Sequence, residues 1–267
     1  NGATDGADRA LSMDTLELRL RRNRENRGFA AACNQGAAEV SSDLILFLNP
    51  DTRLFADSLA VPVAHLCTSA HADVGILGIQ LIDDTRTVAR SCARFPTPLH
   101  FASQAFGLDR LLPSTAHFMR EWDHAQTRDV DHVIGAFFLM RRELFSALGG
   151  FDDTFFVYFE DLDLSLRARR AGWRNVYLTG AQAYHKGGGT SAQIMGRRLF
   201  YSLRGRLQYG RKHFSRPQQV LLALTTWLIE PLTRIIHLAL TARFREIPYV
   251  FEAYWLLATE TLPPRRQ

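Results

Sequence analysis

Two short acidic stretches and one histidine carry the side chains best suited to chemistry. The first stretch is Asn49-Pro50-Asp51, which follows the apolar run LILFL at 44–48. A carboxylate at the exit of a buried strand is a hard oxygen ligand of the kind Mg²⁺ and Mn²⁺ prefer, with substrate phosphates filling further positions. The same three residues also suit a plain turn, because Asn and Asp bond their own backbone and Pro fixes φ. The second stretch is Glu160-Asp161, with Asp163 close behind and Phe155, Phe156, Tyr158 and Phe159 in front. An acid against an aromatic wall loses hydration, which raises its pKa toward that of a useful base. Acids in a first helical turn are also favoured by the helix dipole alone. The histidine is His185, two residues before Gly187-Gly188-Gly189. Imidazole suits Mn²⁺ as an additional donor, and a flexible loop after it leaves room for ligation or switching. The glycines equally make a mobile turn.

These residues need elements to hold them. TLELRLRR (15–22) alternates apolar and charged residues and predicts a half-buried strand. The alanine-rich segment 28–40 reads as a helix and 43–48 as a buried strand. Residues 57–70 read as a helix capped by Asp57 with Pro62 near its start, and 74–82 as a strand. Residues 84–129, broken by RFPTPLH and LLPST, read as loops and short helices. A strand, helix and glycine stop follow over 132–152, then a helix over 160–172 ending at Gly172 and a strand over 173–178. Strands alternating with helices predict an α/β fold with a mainly parallel sheet, where ligands bind beyond the carboxyl ends of the strands. Asn49 and Asp51 occupy such an end.

Composition narrows the classes. With 46% hydrophobic and 22% charged residues, the 267-residue chain is neither disordered nor collagen-like. Cys33, Cys67 and Cys92 form no C-x-x-C pair, which argues against a zinc ribbon or a disulfide framework and fits a reducing compartment. The net charge is +5, and basic residues crowd 164–217, as an anionic ligand or an anionic membrane surface would require. No nucleic-acid-binding signature accompanies them, so nucleic acid is not an expected partner. The tail 218–244 is apolar but interrupted by Glu230, Pro231 and Arg234, leaving no run of roughly 18 apolar residues for a spanning helix. Two amphipathic helices at a membrane interface are expected there, with packing on the rest of the chain as the competing reading.

In chain order, NGATDG, NRENRGFAAACNQG, LILFLNPDT, GAFFLMRRELFSALGGFDDTFFVYFEDLDLSLRARRAG and AYHKGGGTS resemble glycosyltransferase family 2, and in particular its bacterial rhamnosyltransferase-like branch. The resemblance implies a three-layer α/β/α GT-A catalytic domain over 1–191, with 192–267 as a C-terminal helical extension. It also implies a nucleotide-sugar donor (dTDP-rhamnose, from the branch), a divalent metal, Mg²⁺ or Mn²⁺, and an inverting transfer. The acceptor implied is a saccharide or lipid-linked saccharide of cell-surface polysaccharide synthesis, reached from the cytoplasm, peripherally at the inner face of the membrane.

Position by position, NPD stands for the family's acidic DXD motif, with Asp51 as principal metal ligand and Asn49 in place of the first Asp. FED stands for the catalytic acidic motif, with Asp161 as general base and Glu160 beside it. His185 matches the histidine that completes the metal and diphosphate site. Asn26, Gly28, Phe29 and Asn34 match a signature near the nucleotide pocket, to which Gly135 is also assigned. Arg197 and Arg198 could assist the leaving group, and Arg94 with the RFPTP loop could border the acceptor. Family members begin with a β-α-β unit ahead of the turn that opens this chain, so an N-terminally truncated domain is expected. A catalytically inactive remnant, acting only as a binding or membrane-associated protein, is the alternative. A nucleotidyltransferase would also pair metal carboxylates with an α/β sheet, but no glycine-rich phosphate loop opens the sequence.

Overall fold

The structure is a computed structural model that describes residues 19–187 and 195–261. Its strands are β1 (Leu44–Leu48), β2 (Thr52–Leu54), β3 (Val74–Ile82), β4 (Cys92–Ala93), β5 (Arg128–Val130), β6 (His132–Val133), β7 (Phe137–Arg141) and β8 (Arg174–His185). Its α-helices are α1 (Phe29–Ala37), α2 (Asp57–Cys67), α3 (Pro98–Ala105), α4 (Arg142–Ala147), α5 (Glu160–Arg170), α6 (Met195–His213), α7 (Arg216–Leu224), α8 (Glu230–Leu240) and α9 (Ile247–Thr261). Part of the strand expected over 15–22 lies outside the described residues, and Arg19 to Arg22 are not in a strand.

The main sheet runs β1-β7-β3-β8-β2, with β5 also on β8. β3 and β8, the longest pair, are parallel, as alternating strands and helices require. The β1–β7, β3–β7, β2–β8 and β5–β8 pairs are antiparallel, so the sheet is mixed. All nine residues of β3 are buried, as befits a central strand covered on both faces. The period-two side-chain pattern then divides the core. Ile45 and Phe47 of β1 with Phe138 and Met140 of β7 pack on the face covered by α1, α4 and α5. Leu44 and Leu46 with Phe137 and Leu139 point to the opposite face, against Val61 and Leu66 of α2. This gives the three layers expected.

Some local expectations change. Asp57 sits in the first turn of α2 but caps nothing, and Pro62 lies mid-helix. Ser58 Oγ accepts from Phe55 N at 2.7 Å and so holds the turn that enters the helix. The tail holds one continuous helix, Arg216–Leu240, where a break at Glu230-Pro231 was expected. A π turn, Thr225–Ile229, takes up the register just ahead of Pro231. The extension shares its core with the sheet-bearing part, because Phe101 of α3 packs with Phe200, Leu203, Leu222 and Leu257.

The GF…N signature proves to be a clamp. Gly28 has φ +86°, and a Cβ there would strike the Phe156 carbonyl oxygen. That carbonyl accepts from Phe29 N at 2.7 Å. Asn34 grips Phe151 twice, donating Nδ2 to its carbonyl at 2.8 Å and accepting from its N–H at 2.9 Å. Both bonds pin the loop that leads into α5. Replacing Asn34 with Ala leaves a part-buried N–H and carbonyl unpaired, so the expected loss is about 1–3 kcal/mol in denaturant unfolding. An unchanged unfolding midpoint would show that the clamp carries no stability.

Candidate active site

A cavity of about 710 Å³ opens where β1 and β8 end and β7 and α5 begin. It gathers Phe29, Asn49, Asp51, Gly135, Glu160, Asp161 and His185, seven of the positions singled out by sequence. Asn26, Gly28 and Asn34 do not line it. Asn26 instead accepts from Gly28 N at 3.0 Å and shapes the turn before α1.

Asp51 and His185 meet through backbone pairing. Asn49 O accepts from Thr52 N at 3.0 Å, closing a tight turn between β1 and β2, so the turn reading and the ligand reading describe the same residues. β2 pairs with the end of β8 with Thr52 opposite His185. Asp51 Oδ1 thereby comes to 3.3 Å from His185 Nε2. That contact lacks hydrogen-bond geometry, and Nε2 is buried with no hydrogen-bond partner. A buried nitrogen lone pair facing a carboxylate oxygen is what a cation between them would satisfy, so the pair fits a divalent metal. Among the described residues no group of three or more His, Cys, Asp or Glu could hold an ion, which leaves the other positions to a substrate or water.

Asp161 stands on the first turn of α5. Its Oδ2 accepts from Gly135 N at 2.7 Å and its Oδ1 from Leu162 N at 2.8 Å. Gly135 is required by proximity, since a Cβ there would lie 3.0 Å from Asp161 Oδ2. His132 Nε2 is 3.6 Å from the same oxygen, and its Nδ1 is 2.9 Å from Ser165 Oγ. Burial lowers the pKa of His132 and outweighs the pull of Asp161 and Asp131, so the ring is neutral near pH 7.

Glu160 is the acid that feels the loss of water. Burial, then the charge of Asp161, raises its pKa well above 4.5, and Oε2 has no hydrogen-bond partner. The raised pKa expected of an acid beside the aromatic wall therefore falls on Glu160. Of those aromatics, Phe155 is core, Phe156 stacks on Tyr201 at 4.9 Å, and Tyr158 and Phe159 line the cavity. Asp163 points away from it. It is fully buried against Arg167, Lys212 and His213 and ties α5 to α6. Burial alone would raise its pKa, but those partners hold it down at about 2.

Arg90, His117, Arg198, Arg206 and Arg234 also line the cavity. Burial, with His132 nearby, pushes His117 down to about 3. Sequence reasoning singled out Arg198 but missed the other four. Arg234 was visible only as a charge interrupting an apolar tail, and Arg206 only as one of many basic residues in 164–217. Arg94 lies outside the lining, bonded to Ala116 O and Glu121.

The chain is similar to an N-acetylglucosaminyl-diphospho-decaprenol L-rhamnosyltransferase of Mycobacterium tuberculosis, 28% identical over 199 residues, covering 69% of this chain and 64% of that protein. It is similar to a rhamnosyltransferase of Escherichia coli K12, 30% identical over 148 residues, covering 55% of this chain and 53% of that protein. The chain thus spans less than two thirds of the length of both relatives. Among solved structures, a mannosyltransferase from Pyrobaculum calidifontis in complex with GDP-Man and Mn²⁺ matches 90% of this chain and 57% of its own. Its TM-score is 0.43 at 18% identity, too low to bear on function. The family model described as glycosyltransferase-like family 2 matches residues 5–200, and the chain belongs to that family.

Proposed function

We propose that this chain transfers a sugar from a nucleotide-diphosphate donor to the hydroxyl of a saccharide or lipid-linked saccharide acceptor, with inversion at the anomeric carbon. The observation that carries the reading is one cavity holding both the Asp51–His185 pair and the Asp161 carboxylate. The names of the rhamnosyltransferase relatives favour a rhamnosyl donor such as dTDP-rhamnose for glycan synthesis.

Asp51 and His185 Nε2 are the groups that would hold the Mg²⁺ or Mn²⁺. When bound, the metal neutralises charge that develops on the departing diphosphate. Asp161 accepts the proton of the acceptor hydroxyl. Two backbone N–H groups fix its carboxylate, one on each oxygen, and each oxygen keeps a lone pair for the incoming O–H. The acceptor oxygen bonds to the anomeric carbon as the bond to the diphosphate oxygen breaks, and a single backside displacement inverts the centre. Glu160, held neutral, puts no second negative charge beside the base. Arg198 on α6 is exposed, lines the cavity, and can reach a phosphate.

A peripheral position at the inner face of the membrane is proposed with this activity. Arg216–Leu240 is long and apolar enough to span a bilayer by length and composition, yet it packs on α3 and α9 and carries buried Glu230. Its exposed Val220, Leu221, Leu224 and Leu228 suit an interface better than a span.

Asp161→Asn should lower the transfer rate by about 10²–10⁴-fold while leaving donor binding within about twofold. A rate within tenfold of the parent would remove Asp161 from the base role. Asp51→Ala should weaken nucleoside diphosphate binding in calorimetry with Mn²⁺ and change little without metal; equal losses in both conditions would sink the metal assignment. A third test concerns Glu160. Its folded-state pKa is raised, so its contribution to stability is full below its ordinary value of 4.5 and is lost as pH rises. Glu160→Gln removes that loss, and the melting temperature of the variant relative to the parent should climb as pH rises above 4.5. A flat difference would mean that Glu160 is ionised in the folded protein.

A further inference from the structure

Asp161 has a neighbour to which the proposed mechanism gives no task. His132 lies on β6, paired with Ala93 of β4, and is only 4% exposed. Its Nε2 stands at the cavity wall, 3.6 Å from Asp161 Oδ2, and its Nδ1 is 2.9 Å from Ser165 Oγ. Ser165 follows Asp161 by one turn of α5 and is fully buried. A serine, a histidine and an aspartate are thus set in file. Their placement is rigid, because one amide holds the backbone at both ends of the Ser165–His132 contact. Asn175 of β8 donates Nδ2 to the Asp131 carbonyl at 2.6 Å and to the Ser165 carbonyl at 3.2 Å.

The serine decides which ring nitrogen is a donor. A helical serine can turn its hydroxyl back to the carbonyl four residues earlier. Ser165 makes no such bond, and among the described residues His132 Nδ1 is its one hydrogen-bond partner. A fully buried hydroxyl proton needs an acceptor, so Ser165 donates to Nδ1. The proton of the neutral ring then sits on Nε2, facing the carboxylate. A charged ring would carry protons on both nitrogens, so Nε2 is a donor in either state. At 3.6 Å the contact is longer than a hydrogen bond, but catalytic contacts often shorten only once substrate is bound. Its closure would distinguish the two carboxylate oxygens. Oδ2 already accepts from Gly135 N, so a second donor fills its lone pairs, while Oδ1 accepts only from Leu162 N and keeps one.

We infer that His132, with its tautomer set by Ser165, is a positioning residue that donates to Asp161 Oδ2 and so leaves Oδ1 as the oxygen that takes the acceptor's proton. The inference rests on the reading of Asp161 as the base and adds the oxygen that acts and the residue that selects it. The hydroxyl proton moves to Oδ1 as the acceptor oxygen bonds to the anomeric carbon, and the Nε2 proton stays on the ring throughout. Asp131, the other carboxylate near the ring, does not compete for it. Its Oδ2 accepts from Phe95 N at 3.0 Å, and Arg169 lies 4.0 Å from its Oδ1.

Two measurements on the full chain test this, and the first needs no activity. NMR of the histidine ring nitrogens, with His132 assigned by its loss in His132→Gln, should show a proton on Nε2; a ring protonated at Nδ1 alone overturns the inference. The second follows release of dTDP from dTDP-rhamnose with Mn²⁺, water standing in for the acceptor hydroxyl. His132→Phe should lower kcat about tenfold or more, the loss of one charge-assisted contact, and leave the donor KM within about twofold. Glutamine places its amide nitrogen near the position of Nε2 and asparagine near that of Nδ1. His132→Gln should therefore recover kcat to within about threefold of the parent, while His132→Asn stays as low as His132→Phe. A histidine that only supports the fold would lose alike in Gln and Asn and would move KM together with kcat, and either result overturns the inference, as does a Phe variant with the parent's kcat. A parent that releases no dTDP counts against the donor reading, and the ring tautomer then decides the inference by itself.

Discussion

The site depends first on a short antiparallel pairing. Three residues of β2 face the last three of β8, and this contact alone brings positions 51 and 185 side by side. β8 is in turn held parallel to β3, the buried centre of the sheet, so the register of the core sets where His185 stands. Strand side chains alternate between faces. A slip of one residue would turn His185 away from Asp51 and expose apolar residues of β8 together with it, which is why the register is firmly specified. The same frame places Asp161, because Leu48 of β1 pairs with Phe137 of β7, and the residue two before Phe137 is Gly135, whose N–H holds the carboxylate.

The second requirement is a loop that aims α5 at the cavity, and its backbone is not relaxed. Tyr158 and Phe159 both have positive φ, 68° and 71°, a left-handed conformation that costs about 1–3 kcal/mol for residues with a Cβ. The surroundings supply the restraint. Asn34 clamps Phe151 upstream, and Phe29 N holds the Phe156 carbonyl. From the other side, Gly205 lets α6 approach so closely that a Cβ there would lie 3.0 Å from the Tyr158 carbonyl. Buried Asp163 then fastens α5 to Lys212 and His213. The helical extension is therefore part of what fixes the catalytic turn as well as a wall of the cavity.

What the sequence made legible follows from the range of the forces involved. LILFL and VGILGIQLI announce themselves because burial acts locally on every residue, and Gly172 ends α5 because its own φ of 89° demands glycine. NPD, FED and His185 were legible as candidates from residue type alone, and the structure brings them to one cavity. The clamp made by Asn34 was not legible, because its two bonds go to Phe151, 117 positions away, and nothing in the local pattern points there. The continuous helix at 216–240 escaped for a similar reason. Glu230 and Pro231 look like a break until Arg206 neutralises the first and a π turn accommodates the second.

The charge distribution in the cavity then divides it by task. Burial lowers the pKa of His117 and His132, and burial together with the charge of Asp161 raises that of Glu160. Glu230 sits at the other end. Burial would raise its pKa, but Arg206 and Arg234 prevail and hold it below its ordinary value, so the cluster keeps its excess of positive charge. A cavity with the Asp51 and Asp161 carboxylates at one end and two guanidinium groups on one carboxylate at the other orients a polar ligand by charge. Orientation of that kind needs no motion of the backbone, only the burial that fixes each group in its charge state.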